Sequence, residues 1–355
     1  MAYSYYSGKN IKVSIRKILW IKVQFSLSFP QSVYTTFSIL PKTHNLYTNY
    51  YFSLLTEQAY NNFIKTCYNS LMLNMFKKSY FILKNNMIFI HPLLLYLLTF
   101  MIFVSFLTNR NIYAVPKIIM LICAVLLCIA MLSGWFYINK YGVLSYNEGD
   151  SKEEITIKTI QNFKKFFEGV GADFFKTLGI CLIQLVLFAA LFMLVSKICI
   201  SIFGEPKLIY ELPKLAKASS QAEILNFVNG ISMHDKLVFT AWVLAVNVVA
   251  SVYNFFGILY FAVNSFEKVN IFKSLLISIK FFFKNIISNF CIIIMMFLLY
   301  ILLNILSILL GTNSLSFVIL IILFTMYLNY YVILVFCFYN DKAKDNSNNG
   351  TEFIG

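Results

Sequence analysis

Charge is what this chain has least of. Asp, Glu, Lys and Arg together make up 12% of its 355 residues, about half of the roughly 25% that a soluble domain carries. Arginine occurs only at Arg16 and Arg110. With 59% hydrophobic residues and a mean hydropathy of +0.74, there is too little polar surface to cover a water-facing globule. A bilayer is the solvent in which such a composition is tolerable.

Motifs that would carry chemistry are missing as well. There is no GxxxxGK[ST] phosphate loop, no HExxH and no GxSxG, and "SGW" at Ser133 is not a nucleophile elbow. Phosphoryl-transfer enzymes gather Arg, His or metal-binding carboxylates around the phosphate. After Met75 only Arg110, His91 and His234 are available, far apart in sequence. The seven cysteines sit mostly singly within apolar runs, without a CxxC pair. That is the pattern of small packing residues, not of a zinc site or disulfide framework. The sequence therefore predicts no catalytic residue, no metal ligand and no cofactor, and a protein that is not an enzyme.

What the chain does have is apolar runs. Six reach the roughly 20 residues needed to cross the hydrocarbon core, near 88–108, 117–139, 177–203, 237–264, 286–310 and 315–338. None contains Asp or Glu, each of which costs about 2.5–3.5 kcal/mol at a helix centre. The net charge of +14 is nearly all lysine, and the lysines flank the runs. This placement marks a membrane side rather than a nucleic-acid partner. With residues before Met87 placed inside, basic residues on inner segments outnumber those on outer segments by fifteen to seven, so both termini are expected in the cytoplasm.

Each odd-numbered span is preceded by a basic amphipathic segment. Before the first stands "MFKKSYFILKNN", before the third "EEITIKTIQNFKKFFEGV" and before the fifth "EKVNIFKSLLISIKFFFK". In the second of these, Ile160, Phe163 and Phe167 share one helical face; in the third, Phe272, Leu275, Leu276, Ile279 and Phe283 do. Such helices lie in the membrane interface with lysines toward the phosphates. Lys77, Lys78, Lys164, Lys165, Lys273, Lys280 and Lys284 are the expected contacts to anionic lipid. A unit of one interfacial helix and two spans thus occurs three times, with "FKK", "FKK" and "FKS" at Phe76, Phe163 and Phe272.

Polar residues inside the spans are the remaining candidates for function. Thr240, Asn247, Ser251 and Asn254 fall at intervals of 7, 4 and 3, on one face of the fourth span. They read either as interhelical hydrogen-bonding groups or as the lining of a path. Gln184, Asn304 and Asn329 could face the same interior. His91, beside Pro92 at the start of span one, reads as a solvated histidine. Without acids in the spans a proton relay is hard to build. The acids of "EGDSKEE", Glu148 to Glu154, lack calcium-loop spacing and read as a solvated linker capping the next helix. Between spans three and four, Pro213 opens an expected outer helix through Val228, ended by Gly230.

Residues 1–74 stand apart. They hold one acid, Glu57, against seven bases, and their best apolar run is interrupted by Lys22, Gln24, Pro30 and Gln31. This is too polar for a span and lacks a signal-peptide core. The segment is expected to be an upstream extension from a misplaced start, the working protein beginning at Met75; the alternative is a disordered basic arm. Residues 75–340 form the membrane domain and 341–355 a polar cytoplasmic tail.

From Met75 onward, over about three quarters of its length, the chain resembles a broad group of bacterial integral membrane proteins of undefined function. The group includes the membrane region joined to some glycerophosphoryl diester phosphodiesterases. The resemblance lies in "FKKSYFILKNN", "FFEGVGADFFKTLG" and "LYFAVNSFEKVNIFKSLLISIKFFFKN". It implies a bacterial cytoplasmic membrane; the soluble phosphodiesterase domain is absent, so that activity is not implied, and the group has no agreed catalytic residues to carry over. "EGVGADFFKTLG" also resembles, faintly, the coupling loop of binding-protein-dependent transporter permeases. The sequence reading is an all-α integral membrane protein of six spans in three hairpins, each preceded by an interfacial helix. Its expected role is to organise lipid or partner proteins, with the bilayer and anionic lipids as partners, a membrane-protein partner possible and no nucleic acid. A transporter or channel subunit is the alternative.

Overall fold

The computed structural model describes residues 70–108, 113–205, 230–310 and 313–348. Nine α-helices occur among them, and no strand. They are α1 Ser70–Asn85, α2 Ile90–Thr108, α3 Ala114–Leu144, α4 Lys152–Lys164, α5 Phe166–Phe203, α6 Met233–Glu267, α7 Ile271–Lys284, α8 Ile286–Leu310 and α9 Ser314–Asn348. Six are long and apolar enough to cross a membrane, over residues 87–107, 115–144, 166–203, 233–267, 286–310 and 315–343. The chain is an all-α, multi-span membrane protein. The three remaining helices, α1, α4 and α7, each precede a span, as the charge pattern predicts.

The helix ends follow local chemistry. Ser151 and Glu154 form a reciprocal capping box at the start of α4, so the acidic linker does cap the next helix. Asn270 caps α7 by accepting from the Lys273 N–H at 2.7 Å. Ser232 and Asn313 accept the Asp235 and Ser316 N–H groups at the starts of α6 and α9. His91, exposed, bonds the Ile88 carbonyl at 3.0 Å.

Three boundaries differ from the expected ones. The helix before the third span stops at Lys164, because the Lys165 N–H turns back to the Asn162 and Phe163 carbonyls. Phe167 therefore lies in the spanning helix, not on a face shared with Ile160 and Phe163. Helix α1, Ser70–Asn85, takes in described residues on both sides of the 74/75 boundary and buries both Met72 and Met75. At the other end α9 runs on to Asn348, past the boundary at 340. Most of the expected N-terminal extension and the expected outer helix through Val228 lie outside the described residues. Cys123, Cys128, Cys181, Cys199 and Cys337 are free thiols.

The chain divides into two compact units. In the first, Val186–Tyr253 with Ile301–Val318, Cys199, Val238 and Trp242 form a small core with Val195 and Ala245 against it. The Trp242 indole donates to the carbonyl of Gly204 at 3.1 Å. Gly204 follows the last residue of α5 at φ +83, a conformation that glycine takes without penalty. Elsewhere this unit exposes Phe188, Met193 and Ile202, as a lipid-facing surface does.

The second unit comprises the described residues to Leu185, Asn254–Tyr300, and those from Ile319. Its core lies where the second helix of each hairpin ends. Phe136 of α3 stacks on Phe261 of α6 at 4.2 Å and on Phe336 of α9 at 6.0 Å between ring centroids. One aromatic from each hairpin thus meets the other two through Phe136. Close below follow Asn139, Asn264 and Asn340, all buried. Glycines allow α3 and α5 to approach. A Cβ at Gly134 would lie 2.7–2.8 Å from Phe166 atoms, and one at Gly169 would collide with Tyr137.

Candidate functional site

The amphipathic stripe of α7 faces outward. Phe272, Leu276 and Phe283 are 71%, 67% and 66% exposed, whereas Ser274, Ile277, Ser278 and Phe281 turn into the fold. This inverts the usual soluble pattern, in which the apolar face is buried. Small hydroxyls pack inward because they bond along their own helix, Ser278 to the Ser274 carbonyl at 2.7 Å. Ile157 and Ile160 of α4 and Leu73 and Tyr80 of α1 are likewise exposed. Short helices with an outward apolar face and lysines beside it suit an interface between hydrocarbon and water.

The seven lysines expected at lipid are not equivalent. Lys77, Lys164, Lys280 and Lys284 are exposed and Lys273 is half-buried; Lys77 stands 6.0 Å from the centre of the Phe81 ring. Lys78 instead donates to both carboxylate oxygens of Asp341, at 2.8 and 3.0 Å. Its charge is matched within the chain. Lys165 lies 3.4 Å over the Tyr141 ring, a cation–π contact.

On the fourth span the polar groups turn to their own helix. Thr240 donates to the Lys236 carbonyl, Asn247 to that of Val243 and Ser251 to that of Asn247, at 2.7–2.8 Å. Asn254 belongs to the second unit and is exposed. Gln184 and Asn329 make bonds between helices: Gln184 donates to the Gly257 carbonyl at 3.1 Å, and Asn329 accepts from the Trp135 indole at 3.1 Å. Those two polar residues join spans.

A cluster that sequence reasoning missed lies where α3, α5 and α6 come together in the second unit. Lys140, in the last turns of α3, is only 7% exposed. Burying an ammonium is costly unless it is partnered. Its partners are the Ser265 carbonyl, to which it donates, and the rings of Tyr141 and Phe266 at 5.8 and 5.9 Å. Ser265 lies in the last turn of α6, whose carbonyls have no acceptor role within the helix and carry partial negative charge. Lys140 therefore caps α6 from a neighbouring helix.

The acids around this cluster are engaged with tyrosines. Tyr137 donates to Glu168 at 2.7 Å and Tyr339 donates to Glu267 at 2.6 Å. Asp173 stands 3.8 Å from Lys176. A signal for the cluster was present in the sequence: each hairpin's second helix closes with a buried Asn followed shortly by Lys, at Asn139–Lys140, Asn264–Lys268 and Asn340–Lys342. Among the described residues, no three His, Cys, Asp or Glu side chains come together as metal ligands would.

Compared with protein-family models, curated proteins and solved structures, the chain finds no match. Its function has to be read from the geometry.

Proposed function

We propose that the chain is a non-enzymatic membrane module that gathers anionic lipid, and through it partner proteins, at the cytoplasmic face of a bacterial membrane. The observation that carries this reading is the outward apolar stripe of α7, with Lys273, Lys280 and Lys284 on the same short helix. The arrangement recurs, less strongly, in α1 and α4. Each lysine near an anionic surface contributes on the order of 1 kcal/mol, so several on three helices favour an anionic leaflet clearly. The excess of lysine on the segments placed inside gives the same side. The competing reading, a path along span four, has less support, since the polar atoms of Thr240, Asn247 and Ser251 already bond their own helix.

The test is lipid selectivity in bilayers containing the full chain. Spin-labelled phosphatidylglycerol should be motionally restricted at the protein surface in larger proportion than spin-labelled phosphatidylcholine, with the difference shrinking as salt rises. Equal restricted fractions at low salt would remove the basis of the proposal.

A further inference from the structure

The cluster around Lys140 holds more cation than its acids match. Four lysines, Lys140, Lys165, Lys176 and Lys268, stand with three carboxylates: Asp173 beside Lys176, and Glu168 and Glu267, each accepting from a tyrosine. Among the described residues no carboxylate lies within bridging distance of Lys140, Lys165 or Lys268, for the ion pairs there are Lys78–Asp341, Lys158–Asp150 and Lys176–Asp173. Lys140 spends one N–H on the Ser265 carbonyl, which leaves two of its three donors. Lys165 is steadied on the face of Tyr141, and Lys268 is exposed just beyond the end of α6.

Lys268 adds a second, independent observation. Its φ is +52, and it is the one non-glycine residue with positive φ among the described residues. A helix that ends in this left-handed conformation ordinarily uses glycine there. A lysine at such a position, against its backbone preference, points to work done by its side chain.

We infer that Lys165, seated on the ring of Tyr141, and Lys268, just past the end of α6 that Lys140 caps, form with Lys140 a seat for one phosphate group, carried by the headgroup of an anionic phospholipid. Lysine serves phosphate as a point charge with several donors, and long lysine stems let the ammonium reach the headgroup layer while the fold stays put. The excess of positive charge selects a headgroup that brings no compensating ammonium of its own. This inference rests on the anionic-lipid reading above and narrows it from a surface preference to one stoichiometric site.

The experiment uses the full chain in nanodiscs of mixed phosphatidylglycerol and phosphatidylcholine, with retained lipids counted by native mass spectrometry. Wild type should keep one phosphatidylglycerol more firmly than the rest. Lys165→Gln and Lys268→Gly should each lower its occupancy about fivefold or more, while in Lys268→Gly the spin-label selectivity for the anionic bilayer persists. Lys268→Gly is informative because glycine accepts the left-handed backbone, so lost occupancy does not reflect a damaged fold. Unchanged occupancy in both variants would overturn the site even if the bilayer preference stands. Inorganic phosphate at millimolar concentration separates the sources. If it leaves the lipid in place, a lipid seat is supported. If phosphate itself binds to wild type, is lost in the same variants and no lipid is retained, the lipid assignment is overturned.

Discussion

Lys78 is held between burial and a carboxylate. Burial lowers its pKa, but the hydrogen bond and charge of Asp341, 2.8 Å away, outweigh that and leave the value above the usual 10.5. An unfolded lysine has the ordinary value, so the pair's stabilisation is whole below pH 10.5 and is lost as pH rises through the higher folded value. Both side chains are partly exposed, at 24% and 37%, so the pair is worth about 0.5–1 kcal/mol. Asp341→Asn should lower stability by that amount at neutral pH in detergent denaturation. The gap to wild type should then narrow as pH climbs beyond 10.5; a gap independent of pH would show that the ion pair is not its origin. At Lys268 the backbone prediction has the opposite sign. Replacing a left-handed lysine by glycine removes about 1 kcal/mol of local strain, so Lys268→Gly should raise the melting temperature. A fall would mean that the lysine side chain holds the end of α6.

At the scale of elements, the close approach of α3 and α5 depends on what Gly134 and Gly169 lack. Gly169→Ala places a methyl group against Tyr137, which itself bonds Glu168. Overpacking of this kind costs about 1–3 kcal/mol, and the shifted Tyr137 should disturb Lys165 on the neighbouring Tyr141. Thermal denaturation of Gly169→Ala beside Gly171→Ala tests this, because a Cβ at Gly171 meets nothing within 4 Å. Equal melting temperatures for the two variants would contradict the packing account. Several elements were legible beforehand. The six spans follow from runs without Asp or Glu, and the outward stripe of α7 is the one its Phe and Leu spacing predicts. The break at Lys165 was not legible, because Phe163, Phe166 and Phe167 continue the apolar pattern across it and only the backbone bond back to Asn162 ends the helix.

For the whole molecule, the repeat of three hairpins is visible in the sequence mainly as hydropathy, and its physical content is the contact of Phe136 with Phe261 and Phe336. The lysines expected at lipid lie on amphipathic segments, whereas Lys140 lies in the last turns of a span. Its role depends on the end of α6, more than a hundred residues later, supplying the Ser265 carbonyl. Periodicity reports which face of a helix is apolar, but not which distant carbonyl meets a lysine. For the same reason the amphipathic pattern marks Lys78 as a surface cation, although Asp341, 263 residues later, accepts from it. The central claim is that the lysine-bearing face gathers anionic lipid. Its most direct test is to extract the protein with its surrounding bilayer from its own membrane, using a polymer without detergent, and compare the lipids retained with those of the bulk membrane. The account predicts enrichment of anionic phospholipid around the protein, whereas a composition equal to the bulk would contradict it.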